Sequence, residues 1–403
     1  MVGMLILVLN SGSSSIKFSM FDVQEQADPC LLYDGELSGV GGTEATLEIH
    51  ATDTSGLSRE PSGVKAQTLQ EAIQLVLDTV SGKQMPEVEA VGYRVVHPGA
   101  KLKDHQQITP EVLRDLEEAV AFAPLHDPEV IEMIRAGRER FPEVAHYACF
   151  DTMFHQTMPE EATTYPVPAV YREQGARRYG FHGLSCESIV RQMQAAGELP
   201  KRMVIAHLGS GCSVTALLEG RSVDTTMGLT PTGGVVMGTR PGDLDPGLML
   251  YLLRQMGEGK EAASAVETMF NHESGMVALT GMANDMKAVR KAAADGNAQA
   301  ALALKIFTRS VTKAIGGFCW LLGGLDAIVF AGGIGQHDAL TRAEVLGGLD
   351  AMGILINFPL NAGKATGLQR ISASQSKTEI FVVPAQEDLM IAVHVDRMAR
   401  SKP

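Results

Sequence analysis

The residues 10–17 (NSGSSSIK) put small side chains, hydroxyls and one cation between two apolar runs. Such a turn lets backbone N–H groups approach an anion closely, so it suits phosphate oxygens as well as a plain polar hairpin. The chain has no G-x-x-x-x-G-K-[ST] string and no H-R-D loop, which excludes a P-loop NTPase and a protein-kinase fold. Charged residues gather at other turns. Residues 93–99 (YRVVHPG) carry Arg94 ahead of an apolar pair, and residues 125–128 (LHDP) end a loop at a helix start. Residues 150–155 (FDTMFH) place Asp151 just beyond a strand, where α/β proteins bind ligands. Residues 179–183 (YGFHG) frame His182 between glycines, and residues 237–246 (MGTRPGDLDP) form a rigid turn with Arg240. That turn lacks the closing glutamate of an EF-hand. Taken singly, these segments read equally well as a strand-end arginine, a helix cap or a loop histidine.

The elements that must position them alternate between strand and helix, which indicates an α/β fold. Residues 5–9 are a continuous apolar run, as in a strand covered on both faces, and 16–21 follow as a second strand. Residues 38–61 read as sheet edge or surface loop. Helices are expected over 66–80, 110–122 and 128–136, with Thr109 and Asp127 as caps before prolines. Strands are expected at 144–149, 203–208, 327–330 and 380–383. Helical stretches are expected at 261–269 and 283–316, with an amphipathic helix at 386–400. The apolar stretch 314–333 contains Asp326 and two glycine pairs, so it reads as buried helix, turn and buried strand rather than a membrane span. One repeat stands out: 9–13 (LNSGS) is echoed about half a chain later by 208–212 (LGSGC), each after an apolar strand. Two similar Gly/Ser turns arise by chance, or from a duplicated domain.

Composition narrows the function. Of 403 residues, 34 are Lys or Arg and 47 Asp or Glu, a formal net charge of −13. That balance argues against a nucleic-acid binder and against a polybasic membrane-surface protein. At 45% hydrophobic and 20% charged the chain is an ordinary globular one. Five scattered cysteines without a C-x-x-C pair argue against a disulfide framework or zinc knuckle and for the reducing cytosol. The N-terminal apolar run lacks a basic flank and reads as a strand rather than a signal peptide.

In combination the motifs are far more specific. The strings NSGSSSIKF, RVVH, PLHDP, FDTMFHQTMP, RRYGFHG, HLGSG, TRPGDLDPG, AGGIG and EDLMIA, in this order, resemble the acetate kinases of the sugar kinase/actin/Hsp70 superfamily over essentially the whole chain. The resemblance implies two duplicated actin-like (ribonuclease H-like) α/β domains with an interdomain cleft. Residues 1–151 with 386–403 would form the first domain and 152–385 the nucleotide-binding second. It implies Mg²⁺ (Mn²⁺ as an alternative) held by Asn10 and Glu387, ATP and acetate as substrates, and a homodimer. Arg94 would hold the acceptor carboxylate, Arg240 and His182 the transferring phosphoryl group, and Asp151 would be the essential acid. His126 would line the same cleft, and Val96, Leu125, Phe181 and Pro231 would wall the acetyl pocket. Ser13, Ser15 and Lys17 would face the phosphates. The nucleotide would lie on His207, Leu208, Gly209, Ser210 and Gly211, on Asp285, Met286 and Lys287, and on Gly333, Ile334, Gly335, Gln336 and His337.

The chain also departs from the family pattern. Tyr93 stands for His, Pro98 for Gly, Ser210 and Cys212 for Asn and Ser, and Leu184 and Cys186 for Thr and a second His. Gln336-His337 replaces Glu-Asn, Lys287 replaces Arg and Gln386 replaces Asn. Most of the drift lies in nucleotide-facing segments, so the alternatives kept open are propionate as acceptor, pyrophosphate as donor, or a non-catalytic nucleotide switch. A switch has no need of acceptor-binding arginines.

Overall fold

The computed structural model describes residues 3–12, 15–25, 27–40, 45–52, 58–122, 127–257 and 259–401. The chain divides into two compact units, Met1–Met153 with Gln386–Pro403, and Phe154–Ala385. Among the described residues the first unit has β1 (Met4–Gly12), β2 (Ser15–Val23), β3 (Cys30–Ser38), β4 (Ala45–Ala51), β5 (Arg59–Val64), β6 (Ala90–Val95), β7 (Gln106–Gln107) and β8 (Ala145–Phe150). They form one sheet in the order β5-β4-β3-β2-β1-β6-β8-β7. The second unit has β9 (Arg202–Leu208), β10 (Cys212–Leu218), β11 (Arg221–Thr225), β12 (Ala327–Ala331), β13 (Gln369–Arg370) and β14 (Glu379–Val382), in the order β11-β10-β9-β12-β14-β13.

The two sheets repeat one plan. In each, the first strand pairs antiparallel with the second and parallel, on its other side, with a strand that in turn pairs parallel with the next. The echoed turns occupy equivalent places, closing the hairpins Gly12↔Ser15 and Leu208↔Cys212. The duplication is therefore real in topology. Ile6, Leu7, Val8 and Leu9 are fully buried, as their continuous apolar run requires of a central strand.

Helix boundaries follow local chemistry. The first helix starts at Leu69 rather than 66, because Thr68 and Glu71 form a capping box. The helix Pro110–Ala119 is capped by Thr109 and ends in a 3-10 turn, Val120–Phe122. The helix Asp127–Arg140 takes in Asp127 as its first residue instead of leaving it outside as a cap. The expected helix over 283–316 is two: Gly296 adopts φ +94° after Met286–Ala294, and Asn297 then caps Ala298–Leu321. β3, β4 and β5 form a three-stranded antiparallel meander at the sheet edge, where the sequence read 38–61 as sheet edge or loop.

The stretch 314–333 is helix, a turn at Gly323 and Gly324, then β12, but its helix end is not buried. Trp320 is 88% exposed. Among the described residues no helix is long and apolar enough to cross a membrane.

The helix Glu387–Arg400 packs its buried face (Met390, Ile391, Ala392, His394, Val395) against the first unit's sheet. A Cβ on Gly92 would lie 2.6 Å from Ile391 Cγ2 and 2.8 Å from Val395 Cγ2, so β6 needs glycine where the helix crosses it. This docking brings Glu387 and Asp388 to the strand ends.

Candidate active site

In the first unit, β1, β6 and β8 run parallel side by side, and their carboxyl ends deliver Asn10, Arg94 and Asp151 to one place. Arg94 Nε donates to Asp151 Oδ1 at 3.0 Å and Nη2 to Asp151 Oδ2 at 2.5 Å, a two-pronged clamp. Arg94 Nη1 donates to Asn10 Oδ1 at 3.3 Å, and Glu387 Oε2 lies 3.7 Å from Nε. Asn10 Nδ2 donates to Asp388 Oδ1 at 3.1 Å, and Ser19 Oγ to Asp388 Oδ2 at 2.6 Å. Burial works against the Arg94 charge, yet Asp151 and Glu387 hold its pKa above the usual value. Burial raises the Glu387 pKa, with Arg94 opposing. Three carboxylates surround one guanidinium, and the donors are all oxygens. That set fits a hard divalent cation. Asp151 occupies the Nε/Nη2 edge of Arg94 and Asn10 one Nη1 hydrogen, which leaves one N–H on each terminal nitrogen outside these three bonds.

Around this cluster, Val96 is half-buried just beyond β6. Ser15 pairs with Gly12, and Lys17 sits opposite Asn10 with its Nζ 3.9 Å from Glu36. Ser13, Leu125 and His126 lie outside the described residues. Tyr93 donates to His146 Nδ1 at 2.9 Å within the core, so that departure from the family pattern does not touch the site.

Asp127 is 1% exposed and accepts from the His97 backbone N–H at 3.3 Å, while its Oδ2 has no partner among the described residues. Burial pushes its carboxyl up to about 8. A carboxyl with a raised folded-state pKa favours folding below its unfolded value of about 3.9 and loses that contribution as pH rises toward the folded pKa. At pH 7 the cost is at most about 4 kcal/mol. Asp127→Asn, which keeps the acceptor oxygen, is expected to raise Tm at pH 7–8 (as a pH range to test), with the gain shrinking as the pH falls toward about 5. A pH-independent difference in calorimetric Tm would refute this.

In the second unit His182 holds a left-handed backbone (φ 57°, ψ 30°) at the start of the helix Gly183–Ala195. Histidine is among the few side chains found there, and such strain clusters at functional sites. Its ring stacks on His207 with centroids 4.2 Å apart and planes 19° from parallel. Ser213 Oγ is hydrogen-bonded to His182 Nδ1 at 3.0 Å and Ser185 Oγ to His207 Nδ1 at 2.7 Å, fixing both rings. Arg240 Nη1 donates to Pro231 O at 3.1 Å. A Cβ on Gly211 would sit 3.4 Å from Arg240 Nη1 and 3.5 Å from His182 Nε2, so these two side chains converge over a bare glycine. Phe181 is buried, and its carbonyl accepts from His155 Nε2 at 2.9 Å. Burial pushes the Cys212 thiol up to about 12, so it is no nucleophile at neutral pH. Cys186 is core.

The three segments expected to take a nucleotide come together in this unit. β9 and β12 are parallel neighbours, so 207–211 and the helix Gly332–His337 leave adjacent carboxyl ends. Gly332 adopts φ +72°, and a Cβ there would lie 2.6 Å from Leu208 O. Asn284 Nδ2 donates to Ser210 Oγ at 3.4 Å, bringing in the third segment. Asp285 spends one oxygen capping the helix Met286–Ala294 through Lys287 N–H at 2.8 Å. Lys287, Gly333 and His337 are exposed, and nothing lies within 4 Å of a Cβ built on Gly333.

Ser19, Asp388, His155, Ser185 and Ser213 were not singled out from the sequence. Asp388, His155 and Ser185 lie inside or beside recognised strings, but their roles depend on partners far away in the chain.

A duplicated α/β unit of this strand order, with charged groups at the carboxyl ends of the parallel strands in both copies, is the architecture of the actin-like kinases. The Acetokinase family model matches residues 5–393. An acetate kinase of Clostridium botulinum (strain Langeland) is 38% identical over 395 residues, covering 96% of this chain and 98% of that one. The crystal structure of Porphyromonas gingivalis acetate kinase superposes with a TM-score of 0.82 at 32% identity, over 98% of this chain and 100% of that one. A propionate kinase from Francisella tularensis gives 0.86 at 33%, with the same coverage. The chain belongs to the acetokinase family and is an enzyme, a kinase.

Proposed function

We propose that the enzyme transfers a phosphoryl group reversibly and directly between ATP and acetate, giving ADP and acetyl phosphate, in the presence of Mg²⁺. The observation that carries this reading is Arg94, nearly buried at the end of β6 and clamped by Asp151. A carboxylate acceptor has a pKa of about 4 to 5 and is ionised at neutral pH, so no general base is needed. The obstacle is the approach of two anions, and positioning plus electrostatic stabilisation dominate phosphoryl transfer. Arg94 takes the acceptor carboxylate, with Asp151 orienting the guanidinium. Arg240 and His182 take the charge on the transferring group, and Ser213 holds the imidazole. Asn10 and Glu387 fit a magnesium ion, which when bound neutralises charge on the donor phosphates.

The family resemblance assigns Val96, Leu125, Phe181 and Pro231 to the acetyl wall. An apolar pocket separates acids differing by one methylene by only about 1–3 kcal/mol, so propionate is a slower substrate rather than an excluded one. Hydroxylamine trapping with acetate, propionate and butyrate against ATP, GTP and pyrophosphate tests both partners. A preference for propionate, or hydroxamate only with pyrophosphate, would replace the corresponding assignment. Glu387→Ala is expected to raise the Mg²⁺ needed for half-maximal rate several-fold; an unchanged titration would reduce Glu387 to a helix start.

The enzyme acts as a homodimer in the cytosol in this reading. Among the described residues no cysteine forms a disulfide. The helix Pro246–Met256 buries none of its residues and exposes Leu248, Met249, Leu250 and Tyr251 around its circumference, an apolar surface suited to a second copy. Light scattering reads the mass.

A further inference from the structure

Among the described residues, two arginines outside the catalytic groups grip the segment that ends at His337. Arg342 is 2% exposed and donates to four neutral oxygens: Gly335 O at 2.7 Å, Gln336 O at 2.9 Å, Asn361 Oδ1 at 2.7 Å and Asn361 O at 2.6 Å. It pins the backbone of 335–336 from inside the unit. Arg290 works from the other side. It lies one turn along the helix from Lys287, and its side chain is 15% exposed. Its Nε donates to Asp338 Oδ2 at 2.9 Å, Nη1 to Glu344 Oε1 at 2.6 Å, and Nη2 to Thr341 Oγ1 at 2.7 Å and Glu344 Oε2 at 2.9 Å. Asp338 follows His337 directly and caps the helix Ala339–Leu346, accepting from Leu340 N–H at 3.0 Å and Thr341 N–H at 3.1 Å.

We propose that Arg290 is a positioning residue for the phosphoryl donor: it latches the helix that starts at Met286 to the turn at Asp338, fixing the spacing of 285–287 against 333–337. This rests on the reading of those segments as the ATP site. The geometry favours a latch over an ordinary ion pair. Exposed pairs contribute little, whereas a planar guanidinium that satisfies three side chains at once, mostly shielded from water, has one arrangement available. The anchor points adjoin the drifted residues Lys287 and Gln336-His337, which Arg290 braces through the side chains of Asp338, Thr341 and Glu344 and Arg342 through the carbonyls of 335–336.

The test uses the full-length enzyme. Arg290→Gln is expected to raise KM for ATP about tenfold, with KM for acetate and kcat at saturating ATP within about twofold of the unmutated enzyme. Arg290→Lys keeps the charge without the fork and is expected to fall between. The control is Arg202→Gln, which breaks a two-pronged pair with Asp326 (Nη2 to Oδ1 at 2.5 Å) at the amino end of β9 in the same unit. It is expected to leave both KM values unchanged at comparable loss of Tm. If Arg290→Gln does not fold, Glu344→Gln, whose side chain is 42% exposed, weakens the same latch and is expected to raise KM for ATP alone. An unchanged KM for ATP in the folded variants, or a parallel rise in both KM values, overturns the latch. No hydroxamate from the unmutated enzyme with ATP overturns the donor reading and the latch with it.

Discussion

Arg94→Ala is expected to lower kcat by more than about 10²-fold in a chain that still folds, and Arg240→Ala by a similar factor. The two losses have different physical content. Removing Arg94 deletes the partner that Asp151 grips through two hydrogen bonds and leaves Asp151, Glu387 and Asp388 facing one another without a guanidinium. A buried carboxylate deprived of its partner takes up a proton or draws in a cation. Arg94→Ala is therefore expected to shift the pH–rate profile as well as its height. Removing Arg240 deletes a hydrogen bond to a neutral carbonyl, Pro231 O at 3.1 Å, instead of the centre of a carboxylate cluster. Folded variants retaining near-normal turnover would remove the corresponding arginine from the chemistry.

Gly92→Val is expected to cost about 3 kcal/mol or more in stability and most of the activity together. The added side chain enters space already filled by Ile391 and Val395, whose methyl carbons lie 2.6 and 2.8 Å from its first atom. Neither the strand nor the helix can yield cheaply, because both are core. The terminal helix then lifts away, carrying Glu387 and Asp388 from Asn10, Ser19 and Arg94. Circular dichroism should show a lowered Tm, and Mg²⁺-dependent turnover should fall with it. A Gly92→Val enzyme that melts with the unmutated one would mean that the helix does not sit on β6.

The strands that could be read directly were those covered on both faces. Ile6–Leu9 and Ala327–Ala331 are continuous apolar runs because water reaches neither side. The edge strands β3, β4 and β5 were legible only as sheet edge or loop over 38–61, since they are half-exposed and alternate with polar residues. The split at Gly296 hid inside a good helical pattern, because a single glycine is also tolerated mid-helix. At the site, charged side chains at turns were visible by type and order, and the family resemblance supplied their roles. Their supports were not visible. Ser19 and Asp388 are 369 positions apart, and no local pattern announces such a bond. Hydrophobicity also misled where the end of the long helix was expected to be buried: apolar residues mark a core and an interface alike, and Trp320 is on the surface.

The return of the last helix to the first unit has a consequence for biosynthesis. A ribosome that has made residues 1–385 has produced every strand of both sheets, yet Gly92 still faces an empty groove and Arg94 lacks Glu387. Domains usually fold in order as the nascent chain emerges. Here the second unit can close on its own residues, while the first waits, with apolar β1 and β6 uncovered on one face, until residues 387–400 emerge. Messages truncated shortly before codon 387 are thus expected to yield a chain with a finished second unit and an exposed apolar first sheet, a substrate for chaperones and proteases.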